Sequence, residues 1–432
     1  MRPSTFSRFI WGLWLAAATV LAEASPNFEK TLHPVSGRSL YDVVKSYTNI
    51  GNGRIGGIRT GTVGARKVFL WLRRELKRAG LLTTQQHWRF RQYALRRCEL
   101  IVDGQAVDCL PMWFPNTTRL NNLGISHATL LPGQAAVVQI RGYQQDNTGV
   151  GPIIEGAVSK GAGAVIAVNT VHQSLTAINA IDTTSEAPRS VPIVVVGNKD
   201  ASLLGSAKKV DTLRLLGRNL PAARTANLIG RLPRHQQTQK LIVVSTPING
   251  WFLNGGERGP GVALFLGLAR WAAMTRPAAD FVFVATSGHE LGEMGSKRFL
   301  DGAERLGVTP DKVTAWIHLG ASIATWNYAE HGNGHFEKIG TYHANLDYNS
   351  PMLAPLLTDY LMPPGFNPKP ESTKTAGELA MIMDRGYKAF GFYGAFGKFH
   401  TRFDLADSTA PELLEPVARA LTNLIDAIVA AP

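Results

Sequence analysis

The sequence is poor in cysteine and in charge. Its 432 residues include two cysteines, Cys98 and Cys109, too few for a thiolate metal site. Charged residues make up 18% against 45% hydrophobic, which excludes a disordered chain and fits a globular one. Beyond the N-terminus no apolar run approaches a membrane span. Basic residues are scattered, without the aromatic-basic signature of a nucleic-acid module, so nucleic acid is not the expected partner. The glycine-rich run from Gly250 to Gly261 lacks the Gly-Lys-Ser/Thr ending of a phosphate loop. Gly51-Asn52-Gly53-Arg54-Ile55-Gly56 spells G-x-G-x-x-G, but helix-like sequence precedes it instead of a strand. It reads as a glycine loop.

What is present begins with a leader. Arg2 and Arg8 precede an apolar run from Phe9 to Leu21, and Ala22-Glu23-Ala24 has small-x-small form. This predicts a signal peptide over 1–24, cleaved near Ala24, and hence export to the periplasm or the medium. An uncleaved N-terminal anchor is the alternative. The formal charge is +13, which in an exported protein predicts attraction to an anionic envelope, polymer or substrate. The two cysteines bracket the turn signal Asp103-Gly104, so a disulfide closing a hairpin and two buried free thiols are both open.

The length predicts more than one core. Leu40 to Ile50 and Ala65 to Ala79 read as helices, the second with Phe69, Leu72, Leu76 and Ala79 on one stripe. Over 98–217 short β-rich runs dominate, with a helix-like stretch from Ile153 to Lys160, and few charges stand at the strand ends. The segment reads as a β-rich, non-catalytic insert between 25–97 and 218–432. Its lone histidines, His127 and His172, read as structural.

From Thr225 onward strands and helices alternate, the mark of a parallel-sheet α/β domain. Strands are expected at Leu241 to Ser245, Phe281 to Thr286, Val313 to Leu319 and Ala389 to Tyr393. Helices are expected at Pro260 to Met274 and Pro411 to Ala430, the latter capped by Thr409-Ala410-Pro411-Glu412. His331, His335 and His343 fall in a polar stretch that reads as an exposed loop.

Polar residues collect just past these strands: Glu257 and Arg258 after the first, His289 and Glu290 after the second, His318 at the end of the third, His400 after the fourth. In α/β sheets that edge is where ligands bind. Histidines and glutamates converging there are the N/O chemistry that zinc accepts. His289-Glu290-Leu291-Gly292-Glu293 is not the zinc-helix motif, because Glu293 stands where a second His is needed.

The order of these segments resembles metallopeptidase family 28, the two-zinc aminopeptidases and their glutamate carboxypeptidase and transferrin-receptor relatives. Thr225 to Gly230, Gly255 to Ala263, Gly288 to Ser296, and Phe399-His400-Thr401 with Asp404 carry the resemblance. It implies a three-layer α/β sandwich with a mixed, mostly parallel sheet, and a protease-associated domain inserted over 98–217. The departures are specific. The family's first zinc-binding His falls on Pro247-Ile248-Asn249, its bridging Asp on Glu257, its general-base Glu on His289 and its later Asp on His318. The ligand positions that remain are Glu257, Glu290 and His400. The resemblance thus implies a single-zinc hydrolase of peptide or related amide bonds, aminopeptidase-like, with metal ligands Glu257, Glu290 and His400, His318 as a further ligand, and His289 as general base. The rival it implies is a catalytically inactive homologue that binds peptides or proteins.

Overall fold

A computed structural model describes residues 33–51, 57–127, 132–144, 149–179, 190–233, 240–332 and 334–431. The expected signal peptide and most of the Gly51–Gly56 loop lie outside them. Four parallel strands form the centre: Asp280–Thr286, Leu241–Pro247, Val313–Leu319 and Ala389–Tyr393, side by side in that order. Their continuous apolar runs are explained by burial on both faces. Ile242, Val244, Phe281, Phe283, Ala285 and Ile317 face one core; Val243, Val282, Val284 and Trp316 face another. Strand alternation therefore serves two helical layers at once.

The first layer holds the helices Gly37–Gly51, Val63–Arg78, Gly259–Thr275 and Pro411–Ala430. Gly259–Thr275 is apolar almost all round because it is enclosed, and the left-handed Arg276, φ 52°, ends it. The second layer holds Met294–Gly302 and Gly377–Asp384, which supply Phe299, Leu300, Leu379, Ile382 and Met383. The three-layer sandwich with a mixed, mostly parallel sheet is the fold expected from the sequence. None of the described helices is long and apolar enough to cross a membrane.

An antiparallel ribbon of two long strands, Leu82–Val102 and Lys209–Arg231, leaves the sheet at Asp280–Thr286 and carries the chain into 98–217. There Thr118–Ser126, Ala135–Ile140, Ala164–Asn169 and Ile193–Gly197 extend the same path of paired strands. The wholly buried Ala164–Asn169 again serves two faces, with Ile166 and Val168 in one core and Val165 and Ala167 in another. Asp103 and Gly104, both at positive φ, turn Leu82–Val102 into Gln105–Val107, and Cys98 and Cys109 are disulfide-bonded across that hairpin.

His331, His335 and His343 are exposed and lie outside strands, as expected; the first two sit at the tip of a hairpin, Thr325–Glu330 with Phe336–Tyr342, whose Trp326, Tyr328 and Phe336 pack on the main body. One local expectation fails. Pro411–Ala430 has no side-chain cap, because its N-cap residue is Ala410, which carries no capping oxygen, and the Thr409 hydroxyl donates to the Ala324 carbonyl.

The disulfide closes a loop with a sequence separation of 11. Replacing both cysteines by serine is expected to cost about 2–3 kcal/mol. Thermal unfolding of the double variant checks this; an unchanged midpoint would mean that the turn alone holds the hairpin.

Candidate functional site

The loop after Leu241–Pro247 brings Glu257 and Arg258 to the sheet edge. It is held from outside by Asp404, whose carboxylate accepts from the Gly256 and Glu257 amides. Burial pushes the Asp404 carboxyl up to about 7, although both amides and Ser408 favour its charged form. Gly255 is needed for this approach, since a Cβ there would stand 2.1 Å from the Leu405 carbonyl oxygen. Glu257 and Arg258 are both sealed from solvent, with Arg258 Nη2 2.9 Å from Glu257 Oε1. Burial raises the Glu257 carboxyl, but Arg258 first and His400 second pull harder and hold it at about 2.

His400 approaches from the opposite side in a left-handed turn, φ 58°. Its Nδ1 donates to the Ala177 carbonyl at 3.0 Å, since a carbonyl only accepts. That directs Nε2 at Glu257 Oε1, 3.5 Å away. The imidazole stacks on Phe399 at 4.2 Å and meets the Tyr143 edge at 5.4 Å.

Gly288, at φ 86°, ends the second strand in a left-handed turn and starts the short 3-10 turn His289–Leu291. The turn sends the next two side chains apart. His289 goes to the cavity, where its Nδ1 lies 2.9 Å from Glu378 Oε1. Glu290 goes inward, and both of its oxygens accept from one residue: Oε1 from the Thr60 amide at 2.6 Å and Oε2 from the Thr60 hydroxyl at 2.8 Å. Arg59, buried between Trp113 and Trp251 with its guanidinium 5.0 and 5.4 Å from their rings, adds positive charge beside Glu290.

His318 is also buried. Its Nδ1 contacts the Ser245 hydroxyl at 3.0 Å, and its Nε2 lies 3.9 Å from Glu378 Oε2. Burial, with Arg258 and His289 nearby, lowers it to about 4 against the pull of Glu378. For His289, burial and Arg258 act downward, but the charge and hydrogen bond of Glu378 prevail and raise it. Glu378 is depressed: burial opposes its charge, and His289 and His318 overcome that penalty.

The predicted residues thus fall in three places. Glu257 meets His400; His289 and His318 meet Glu378; Glu290 stands apart on Thr60. Arg258, His289, His318, Glu378 and His400 open on one cavity of about 370 Å³, also lined by Tyr143, Asn179, Phe392, Tyr393 and Phe399. Tyr143 and Asn179, with the carbonyl of Ala177, come from 98–217, so the segment read as non-catalytic helps to build the site. His172 and His127 are structural as expected, the first on the Tyr143 hydroxyl and the second on the Ala207 carbonyl. Glu378 and Thr60 were missed. Neither follows a strand, and no spacing marks them. Arg258 was in view past the first strand, but its local sequence does not mark it as buried beside a carboxylate.

A structural zinc takes four ligands and a catalytic one three from the protein. Among the described residues no group of three or more His, Cys, Asp or Glu is arranged to hold a metal. Glu257 and His400 are two donors, and a guanidinium already lies against the oxygen that an ion would use. The residues present do not fit the two-zinc centre, and they fall short of a single-zinc one.

Two outcomes check this geometry. The raised His289 contributes stability fully below its ordinary value of 6.5 and loses it as pH rises through the folded value. The depressed Glu378 contributes above its ordinary value of 4.5 and loses it as pH falls through the folded value. The pair therefore supports the fold most fully between those two values. Glu378→Gln is expected to move the NMR titration of His289 to lower pH and to flatten this dependence; an unmoved titration would remove Glu378 as its cause. Thr60→Val keeps the amide donor but removes the hydroxyl from Glu290, and is expected to cost about 1–3 kcal/mol in chemical denaturation.

No family model matches the sequence, and no curated protein matches it. Solved structures do match. A zinc aminopeptidase from Bacillus subtilis superposes with a TM-score of 0.68 at 16% identity, over 91% of this chain and 95% of that one. A peptidase M28 precursor from Shewanella amazonensis gives 0.70 at 15%, over 91% and 93%. An aminopeptidase from Aneurinibacillus sp. strain AM-1 gives 0.60 at 15%, over 91% and 93%. At such identities the likeness is one of architecture, and the chain has the fold of the family-28 metallopeptidases that its motifs resemble.

Proposed function

We propose that this protein is exported and recognises peptides or related amides in the cavity at its strand ends, as a binding module on an aminopeptidase fold. One observation carries the reading. The two carboxylates that the resemblance assigns to zinc, Glu257 and Glu290, are engaged by the chain itself, the first beside Arg258 and the second on Thr60. What remains open to a ligand suits a peptide. Tyr143, Phe392, Tyr393 and Phe399 offer apolar and aromatic surface and His289 a polar ring, with the buried charges of Arg258 and Glu378 in the wall behind. The net charge of +13 would favour encounter with an anionic envelope or an acidic peptide. Cleavage near Ala24 would release the chain, and the uncleaved leader would anchor it.

A second reading is the zinc-dependent hydrolase, and His289 favours it. Its Nδ1 is fixed by Glu378 and its ring reaches the cavity, which is how a general base is oriented. Dipeptides and aminoacyl-nitroanilides, tested with and without zinc, separate the two. The binding module gives calorimetric peptide binding without turnover and without response to a chelator. Zinc-dependent turnover that His289→Ala abolishes would sink it and establish the hydrolase.

A further inference from the structure

The helix Val63–Arg78 carries a charge that the site does not use. Six of its 16 residues are cations: Arg66, Lys67, Arg73, Arg74, Lys77 and Arg78. No other described helix holds more than two. Its inner side is fixed, since Val68, Leu72 and Leu76 are buried in the first-layer core and the Thr62 hydroxyl caps it from the Ala65 amide at 3.1 Å. Its outer side is open. Val63, Lys67, Leu70, Arg74 and Lys77 recur at alternating steps of four and three, which sets them on one stripe, and all five are exposed. Val63 and Leu70 are 50% and 49% exposed.

The protein itself does not answer this charge. The one acid of the helix, Glu75, is turned inward and is already shared by Arg78 at 2.8 Å, Arg270 at 2.9 Å and Arg74 at 3.7 Å. Arg66, Lys67 and Lys77 form no ion pair among the described residues. Like charges three and four residues apart weaken a helix, so the run costs the isolated fold some stability. Leu70, Arg73, Arg74, Lys77 and Arg78 line one open depression of about 360 Å³, and the Nε of Arg73 is buried without a hydrogen-bond partner. A phosphate in that depression would meet guanidinium forks and an ammonium. A soluble polyanion could use these cations but would leave Val63 and Leu70 in water. A bilayer surface takes both, because its phosphates lie directly above an apolar boundary.

We infer that the outer face of Val63–Arg78 is a docking surface for an anionic phospholipid bilayer. The cations bind headgroup phosphates, and Val63 and Leu70 enter the headgroup boundary. The inner face stays in the core, so the helix docks as folded, lying along the surface over about 24 Å. The inference rests on the proposed anionic envelope, to which it gives an address, and it does not need peptide recognition in the cavity.

The test is co-sedimentation of the full-length chain with vesicles of phosphatidylcholine alone, or of equal parts phosphatidylcholine and phosphatidylglycerol. The readout is the ratio of the two partition coefficients. Every variant keeps the same N-terminus, so any contribution of the leader cancels between them. Arg66→Gln/Lys67→Gln/Lys77→Gln breaks no ion pair and keeps good helix formers. A cation near an anionic surface is worth about a fivefold change in partitioning, so this variant is expected to lower the ratio about a hundredfold. Its thermal midpoint is expected to stay at or above that of wild type, because repulsion is relieved. Arg96→Gln/Lys160→Gln/Lys388→Gln removes the same net charge from exposed positions elsewhere and is expected to change the ratio less than about threefold. Val63→Gln/Leu70→Gln is expected to weaken binding to the anionic vesicles about tenfold and to leave retention on dextran sulfate unchanged. A wild type that does not prefer the anionic vesicles would overturn the inference, as would equal losses in the two triple variants. Unchanged vesicle binding by Val63→Gln/Leu70→Gln would overturn the bilayer as the partner in favour of a soluble polyanion. Docking by a protein that binds no peptide would remove the peptide reading and leave this surface standing; peptide binding without docking would do the reverse.

Discussion

A carboxylate cut off from water needs a cation or several donors within reach, or it gives up its charge. Around the strand ends of this protein several acids are buried together, among them Glu257, Glu290, Glu378 and Asp404. Each of these has a different answer. Glu257 has a guanidinium, Glu290 an amide and a hydroxyl from one threonine, Glu378 two imidazoles, and Asp404 two loop amides that only partly offset the rise in pKa caused by burial. These answers fix the loops that form the cavity. They tie the glycine-rich loop to the Asp404 turn, the Thr60 segment to the Gly288 turn, and the helix Gly377–Asp384 to the ends of two central strands. Electrostatic balance, more than the shape of the core, decides which side chains face the cavity.

Much of the fold could be read from the sequence because its signals are local. Apolar runs such as Leu241–Pro247 and Phe281 to Thr286 announce strands covered on both faces, and the stripe of Val63–Arg78 announces a helix packed on one. The site was legible only in part. His289, His318 and His400 follow strands, and the topology brings strand ends together, so their convergence could be anticipated. Whether neighbours in sequence stay together could not. The left-handed Gly288 and the turn after it separate His289 from Glu290, and the sequence does not say that Thr60, 230 residues away, will take the second. Glu378 was invisible for the same reason: its meaning lies entirely in histidines contributed by two other strands. Arg258 lay in view, but its importance depends on a carboxylate that no solvent reaches.

Identities of 15–16% to the aminopeptidase structures leave the architecture intact, and a shared fold does not fix the chemistry of its edge. That is the ordinary division of labour between a fold and its site. The central strands are specified by volume and apolarity, which many sequences satisfy. The edge is specified by charge, where one exchange of sign forces its neighbours to adjust.

The wall of the cavity formed by Tyr143, Asn179 and the Ala177 carbonyl belongs to 98–217, and that segment has apolar cores of its own. Changes deep in those cores and changes at the central strands fall in separately packed interiors, so their effects on stability should add with little coupling. The wall itself is not separate: the Ala177 carbonyl holds His400, Asn179 accepts from Trp251, and Tyr143 packs on Phe399, so changes at these three residues act directly on the half that holds the buried charges. The seam between the two parts, more than either interior, is where the shape of the cavity and the stability of the charge cluster are joined.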